Sequence, residues 1–206
     1  MANRLTACRS RTVSSLAFGR PCGARFFFGT APPYNRVVID PDYCRLLARY
    51  NRWMNERMYA TVAELSDQER KRDRGAFFGS IHRTLCHLVW ADRVWLARFG
   101  GPAYEVTGYG ADLYDDFADV ARERAQADTD ILDWAGRVTA EWLAGSLQYT
   151  RKADGRNASL PAWVGVVHLF NHGTHHRGQL TTLMKQAGLD PGVTDLPWTP
   201  GVTQLA

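Results

Sequence analysis

The chain has 206 residues, 45% hydrophobic and 22% charged, so it carries enough apolar material for a packed core and global disorder is excluded. Its net charge of +4 is unevenly placed: residues 1–39 hold six arginines and no acid, which leaves 19 basic against 21 acidic groups in the rest. A slightly acidic folded part argues against nucleic-acid binding, and no apolar run approaches the ~18–20 residues of a membrane span. Four cysteines without C-x-x-C spacing do not make a disulfide scaffold, which points to a reducing, cytoplasmic compartment.

Residues 1–35 are rich in Arg and Ser and broken by Pro21, Gly23, Gly29, Pro32 and Pro33. Phe26-Phe27-Phe28 is the only apolar run there, too short for the core of a signal peptide. An organelle transit peptide has this composition, and so does a non-native extension that stays disordered. Both readings set residues 1–39 apart from a folded region, 40–199, with 200–206 as a tail; the first would place the protein in an organelle.

Asp40-Pro41-Asp42 opens the first clear element, with an Asp able to cap and Pro suited to the first helical position. Leu46, Leu47, Tyr50, Trp53, Met54, Met58, Thr61 and Leu65 then recur at three-and-four spacing, which predicts an amphipathic helix over about 41–65. The charged segment 66–79 reads as a linker. Ser80 starts a second helix with Ile81, Leu85, Leu88, Trp95 and Leu96 on its apolar stripe, ending at Gly100-Gly101. After a loop over 101–111, Leu113, Phe117, Val120, Ala121, Ile131, Trp134, Val138 and Trp142 predict a long third helical stretch. From Leu147 to Asn157 the period shifts toward alternation around the turn signal Asp154-Gly155, so a short extended excursion fits there. The last helix runs from about Pro161 to Gly188, with Pro191 beyond. The pattern predicts an all-α fold: a four-helix bundle with crossover loops and a minor extended segment before the last helix.

The last helix carries His168, His172, His175 and His176. At 100° per residue, His172 and His176 lie about 40° apart on one face, a spacing that lets two imidazoles converge on one ion. Two histidines four apart also arise by chance, so a third ligand matters. His87 flanks the apolar stripe of the second helix and is placed to enter the bundle interior, as a ligand or as a packed histidine. Three histidines along one straight helix cannot easily close on one ion, so His168 reads as a packing group or an outer hydrogen-bond partner. His175 diverges by about 100° from His176, and His82 lies on another face from His87 and reads as a surface residue. Gln179 returns to within about 20° of His172 and could hold an imidazole by a hydrogen bond. Gly173 and Gly178, costly in a helix, suggest a close approach of another element or a ligand.

Asp92 shares the face of Leu85, Leu88 and Trp95 and needs a partner there, for which Arg52 and Arg177 are the candidates. Cys86 diverges from His87 and reads as a packing residue. His172 is followed by Gly173, so the H-E-x-x-H of a helical zinc protease is absent and peptide hydrolysis is disfavoured. Three neutral imidazoles would leave a divalent ion its full charge and an open position, which can present water or a thiol as an anion at neutral pH. Such a ligand set accommodates Zn, Ni, Fe, Mn or Co.

Three blocks resemble the DinB-like, damage-inducible family of metal-binding four-helix bundles. They are Tyr50-Asn51-Arg52-Trp53-Met54-Asn55-Glu56-Arg57, then Gly79-Ser80-Ile81-His82-Arg83-Thr84-Leu85-Cys86-His87-Leu88 with Ala91-Asp92 and Trp95-Leu96-Ala97-Arg98, and Asn171-His172-Gly173-Thr174-His175-His176-Arg177-Gly178-Gln179-Leu180. The resemblance covers roughly residues 40–199. It implies one divalent metal ion on His87, His172 and His176; Gln179, His168 and Asp92, read from their places on the helices, are the candidates for outer contacts. It also implies a homodimer and, loosely, metal-assisted transfer of a low-molecular-weight thiol to a small electrophile in detoxification or stress. The alternative is a non-catalytic bundle whose ion stabilises the fold or the dimer.

Overall fold

The computed structural model describes residues 36–104, 108–151 and 154–204; the 1–35 extension lies outside them. Helix α1, Pro41–Val62, starts where the Asp40 side chain accepts a hydrogen bond from Tyr43 N at 2.8 Å, with proline at its first position. It ends three residues earlier than its apolar period suggests, because Ser66 caps a separate short helix, α2 (Asp67–Lys71), inside the charged linker. Helix α3, Ile81–Arg98, begins at Ser80, whose hydroxyl accepts from Arg83 N.

The third helical stretch is shorter than expected and divided. Helix α4 covers Phe117–Arg137, and Val138 turns the backbone extended so that Thr139 can cap α5, Ala140–Ala144. Leu113 and Tyr114 keep their apolar contacts from a loop, packed against one of the core clusters. Strands β1 (Ser146–Thr150) and β2 (Asn157–Pro161) form an antiparallel hairpin, and α6 runs from Ala162 to Gln186.

Helices α1, α4, α3 and α6 are neighbours in a closed ring, each packed on the next, which is the expected four-helix bundle. Its interior holds two apolar clusters, one with Ile131, Val166 and Phe170, the other with Met54, Leu85, Val120 and Leu180. Between them lies a polar layer to which all four helices contribute. Arg124 Nη1 donates to Asp92 at 2.6 Å and its Nη2 lies 2.9 Å from Asp128. Asn51 and Asn55 both donate to Asp128, and Arg177 donates to Asn51. Two guanidiniums and two carboxylates balance, as burial at this depth demands. Burial opposes the Arg124 charge, but the Asp128 and Asp92 carboxylates more than offset it and raise its pKa.

Asp92 therefore finds its partner on α4, where neither expected arginine sits. Arg52 pairs on the surface with Glu56, and Arg177 is taken by Asn51. Gly173 lets that last contact form: a Cβ there would stand 3.0 Å from Arg177 Nη1 and 3.4 Å from Asn51 Oδ1. Gly178 meets nothing within 4 Å, so the expected close approach holds at one glycine of the two.

Candidate metal centre

The structure brings His87, His172 and His176 together at the seam of α3 and α6. His172 Nε2 lies 3.2 Å from His87 Nε2 and 3.1 Å from His176 Nε2, and one nitrogen from each ring fits within 4.8 Å of the others. Nitrogens bound ~2.05 Å from a tetrahedral ion stand about 3.3 Å apart, so the two measured edges are close to those of a metal-ligating face.

The hydrogen-bond partners decide which atoms face inward. His87 Nδ1 is 2.6 Å from the Tyr109 carbonyl, and His176 Nδ1 is 2.8 Å from Gln179 Oε1. Both oxygens only accept, so both Nδ1 atoms carry the proton and both Nε2 atoms offer lone pairs. A proton on His172 Nε2 can satisfy one of those lone pairs, while His172 Nδ1 is buried without a hydrogen-bond partner among the described residues. One cation among the three Nε2 atoms satisfies all three.

The rings are kept neutral. Burial, then repulsion from His176 and His87, lowers the pKa of His172 to about 3. Burial lowers His176 to about 4 against the opposing hydrogen bond that its Nδ1 donates to Gln179, and burial also lowers His87. Neutral imidazoles with fixed tautomers are the form a divalent ion needs.

Aromatic rings wall the cluster. Phe78 stacks on His87 at 4.1 Å and approaches His176 at 5.5 Å, and Trp90 stacks on the same His87 at 5.6 Å. The Tyr109 carbonyl reaches His87 because the next residue is Gly110. With φ +68°, a Cβ there would stand 2.2 Å from Trp90 Cβ, so a side chain would push the loop off α3. Neither Tyr109, Gly110, Phe78 nor Trp90 is recognisable as a site residue from periodicity. The one available signal is Phe77-Phe78, an apolar pair inside a charged linker.

The other candidates are placed differently. Gln179 holds His176 rather than His172, and its amide also meets the exposed His175 at 3.3 Å. His168 packs its ring 4.8 Å from Trp95 and 5.6 Å from the His172 ring, with no hydrogen bond to the trio among the described residues. Asp92 belongs to the polar layer on Arg124. His82 is a correction: it is only 3% exposed, its Nε2 2.7 Å from the Tyr114 carbonyl. The loop before α4 folds back over the start of α3 and covers the face that α3 alone would present to solvent. Cys86 is fully buried under the same loop, and burial raises its thiol pKa, as suits a packing residue.

The sequence profile of the DinB family matches residues 39–204. The chain belongs to the DinB family. Protein DinB of Bacillus subtilis (strain 168) is 26% identical over 159 residues, spanning 75% of this chain and 91% of that protein. The crystal structure of a DinB-like protein from Bacillus cereus ATCC 10987 has a TM-score of 0.51 and 23% identity, covering 73% of this chain and 91% of the other. That likeness concerns the fold. None of the described helices is long and apolar enough to cross a membrane.

Proposed function

We propose that this DinB-family chain binds one divalent metal ion on His87, His172 and His176 and transfers a low-molecular-weight thiol to a small electrophile. The observation that carries the reading is the convergence of three neutral imidazole Nε2 atoms, two with their tautomers fixed by carbonyl oxygens. A divalent ion there supplies Lewis acidity that brings a thiol to its anionic form near neutral pH. The protein's part is to hold the ligand set: Tyr109 and Gln179 orient His87 and His176, and Phe78 shields one side from water. The chain acts as a cytoplasmic homodimer in a detoxification or stress response, and sedimentation at micromolar concentration tests the dimer.

One observation favours a second reading, in which the ion stabilises the fold without catalysis: His87 and His176 are only 5% and 7% exposed. The experiment that separates the two loads the chelated protein with Zn, Ni, Fe, Mn or Co. It then follows the loss of free cysteine or glutathione thiol with a panel of alkyl halides and epoxides. Metal-dependent consumption supports the transferase; stabilisation by metal without consumption supports the structural role.

A further inference from the structure

Leu96 lies nine residues beyond His87 on α3, about 180° round the helix and ~13 Å along it. On that far side, between the end of α3, the loop 100–104 and α4 from Glu123 onward with its turn into α5, lies a cavity of about 700 Å³. Sites that take small organic ligands span about 300–1,000 Å³. One wall is aromatic. Phe99 stacks on Trp134 at 4.9 Å, and Trp142 closes edge-on against both, 5.5 Å from Phe99 and 5.6 Å from Trp134. Each ring is fixed by the other two, so the wall exists before any ligand arrives.

The facing wall is acidic. Arg93 bonds to Asp130 and lies 3.5 Å from Glu123, while Asp130 also accepts from Gln126 at 2.9 Å. One guanidinium set against two carboxylates leaves a negative charge at that wall. Asp133 and Arg137 add one charge of each sign to the lining, Arg137 donating to the Asp133 backbone carbonyl at 3.1 Å, so the surplus stays negative. A fixed aromatic wall in one cavity with surplus carboxylate suits a ligand whose apolar ring packs on the aromatics while its cationic end meets the charge.

We propose that this cavity is a second binding site, independent of the metal centre, for a small organic cation carrying a planar apolar group. The apolar group lies on Phe99, Trp134 and Trp142, and the ammonium points to Glu123 and Asp130. An organic anion of the same shape is rejected, because Arg93 is already committed to two carboxylates.

Tryptamine is the probe, with indole-3-propionate as the anion of matching ring, titrated calorimetrically into the full chain with zinc and again with EDTA. The expected result is tryptamine binding with a Kd below about 1 mM, the same in both conditions, and indole-3-propionate weaker by about tenfold or more. Glu123→Gln should weaken tryptamine about fivefold by neutralising the acidic wall. Ala103→Trp, on the exposed loop that lines the cavity, should abolish binding while leaving the melting temperature unchanged. If that variant fails to fold, the Glu123→Gln result decides. No tryptamine binding up to about 5 mM, equal binding of the two indoles, loss of binding with EDTA, or full binding by Glu123→Gln would each overturn the proposal.

Discussion

Gly110→Ala isolates the part that the loop after α3 plays in the proposed metal centre. The substitution meets two obstacles. A φ of +68° costs an alanine about 1–2 kcal/mol, and its Cβ would stand 2.2 Å from Trp90 Cβ, where carbon atoms need about 3.5–4.0 Å. The loop must therefore retreat by more than about 1 Å, which stretches the 2.6 Å bond between the Tyr109 carbonyl and His87 Nδ1 beyond hydrogen-bonding range. His87 would lose the contact that fixes its tautomer, an effect that at metal sites lowers affinity about 10–100-fold. Gly108→Ala is the matched control: its φ is +72° but none of the described residues lies within 4 Å of its Cβ, so it carries the same backbone strain without displacing the carbonyl. Competition with a fluorescent zinc chelator, with thermal unfolding alongside, reads both effects. Both variants should lose stability, and Gly110→Ala alone should lose affinity. Equal affinities for Gly110→Ala and wild type would refute the role given to Tyr109.

Further outcomes follow from the buried groups. In EDTA, the low folded pKa values of His172 and His176 mean that the unfolded chain binds more protons below about pH 6.5. Stability should thus be full above that pH and fall as the pH drops toward 4, by about 1–2 kcal/mol over the first unit; urea unfolding at pH 7.5 and 5.5 measures it, and His172→Ala should flatten the slope. Asp128→Ala leaves Arg124 with one carboxylate and orphans the amides of Asn51 and Asn55, so it should destabilise by about 3–5 kcal/mol in urea unfolding, well beyond the surface change Glu56→Ala.

Three of the four bundle helices were legible because they begin or end on a local signal: Asp40-Pro41 for α1, Ser80 and Gly100-Gly101 for α3, and Gly188 for α6, whereas α4 starts at Asp116 without a side-chain cap. What the sequence hides is set by tertiary contact. Nothing near Asp92 specifies Arg124, which is 32 residues away and arrives only when α4 packs on α3. His82 looks exposed on an isolated helix, and the Tyr114 carbonyl that covers it comes from a loop that the apolar spacing assigns to the third helix. The histidines on α6 could be sorted by angle because a helix is regular. Their partner on α3 required both the resemblance and the packing of α3 on α6. Tyr109 and Gly110 act through backbone atoms, which side-chain patterns do not record.

Metal content of purified single variants tests the central claim most directly. His87→Ala, His172→Ala and His176→Ala should each lose most of the bound metal, since each leaves two ligands on one ion. His82→Ala should retain it, and His175→Ala should lose less than His176→Ala, because His175 touches the His176 ring and the Gln179 amide but offers no nitrogen to the three-histidine group. Full occupancy in His176→Ala together with loss in His175→Ala would contradict the three-histidine centre.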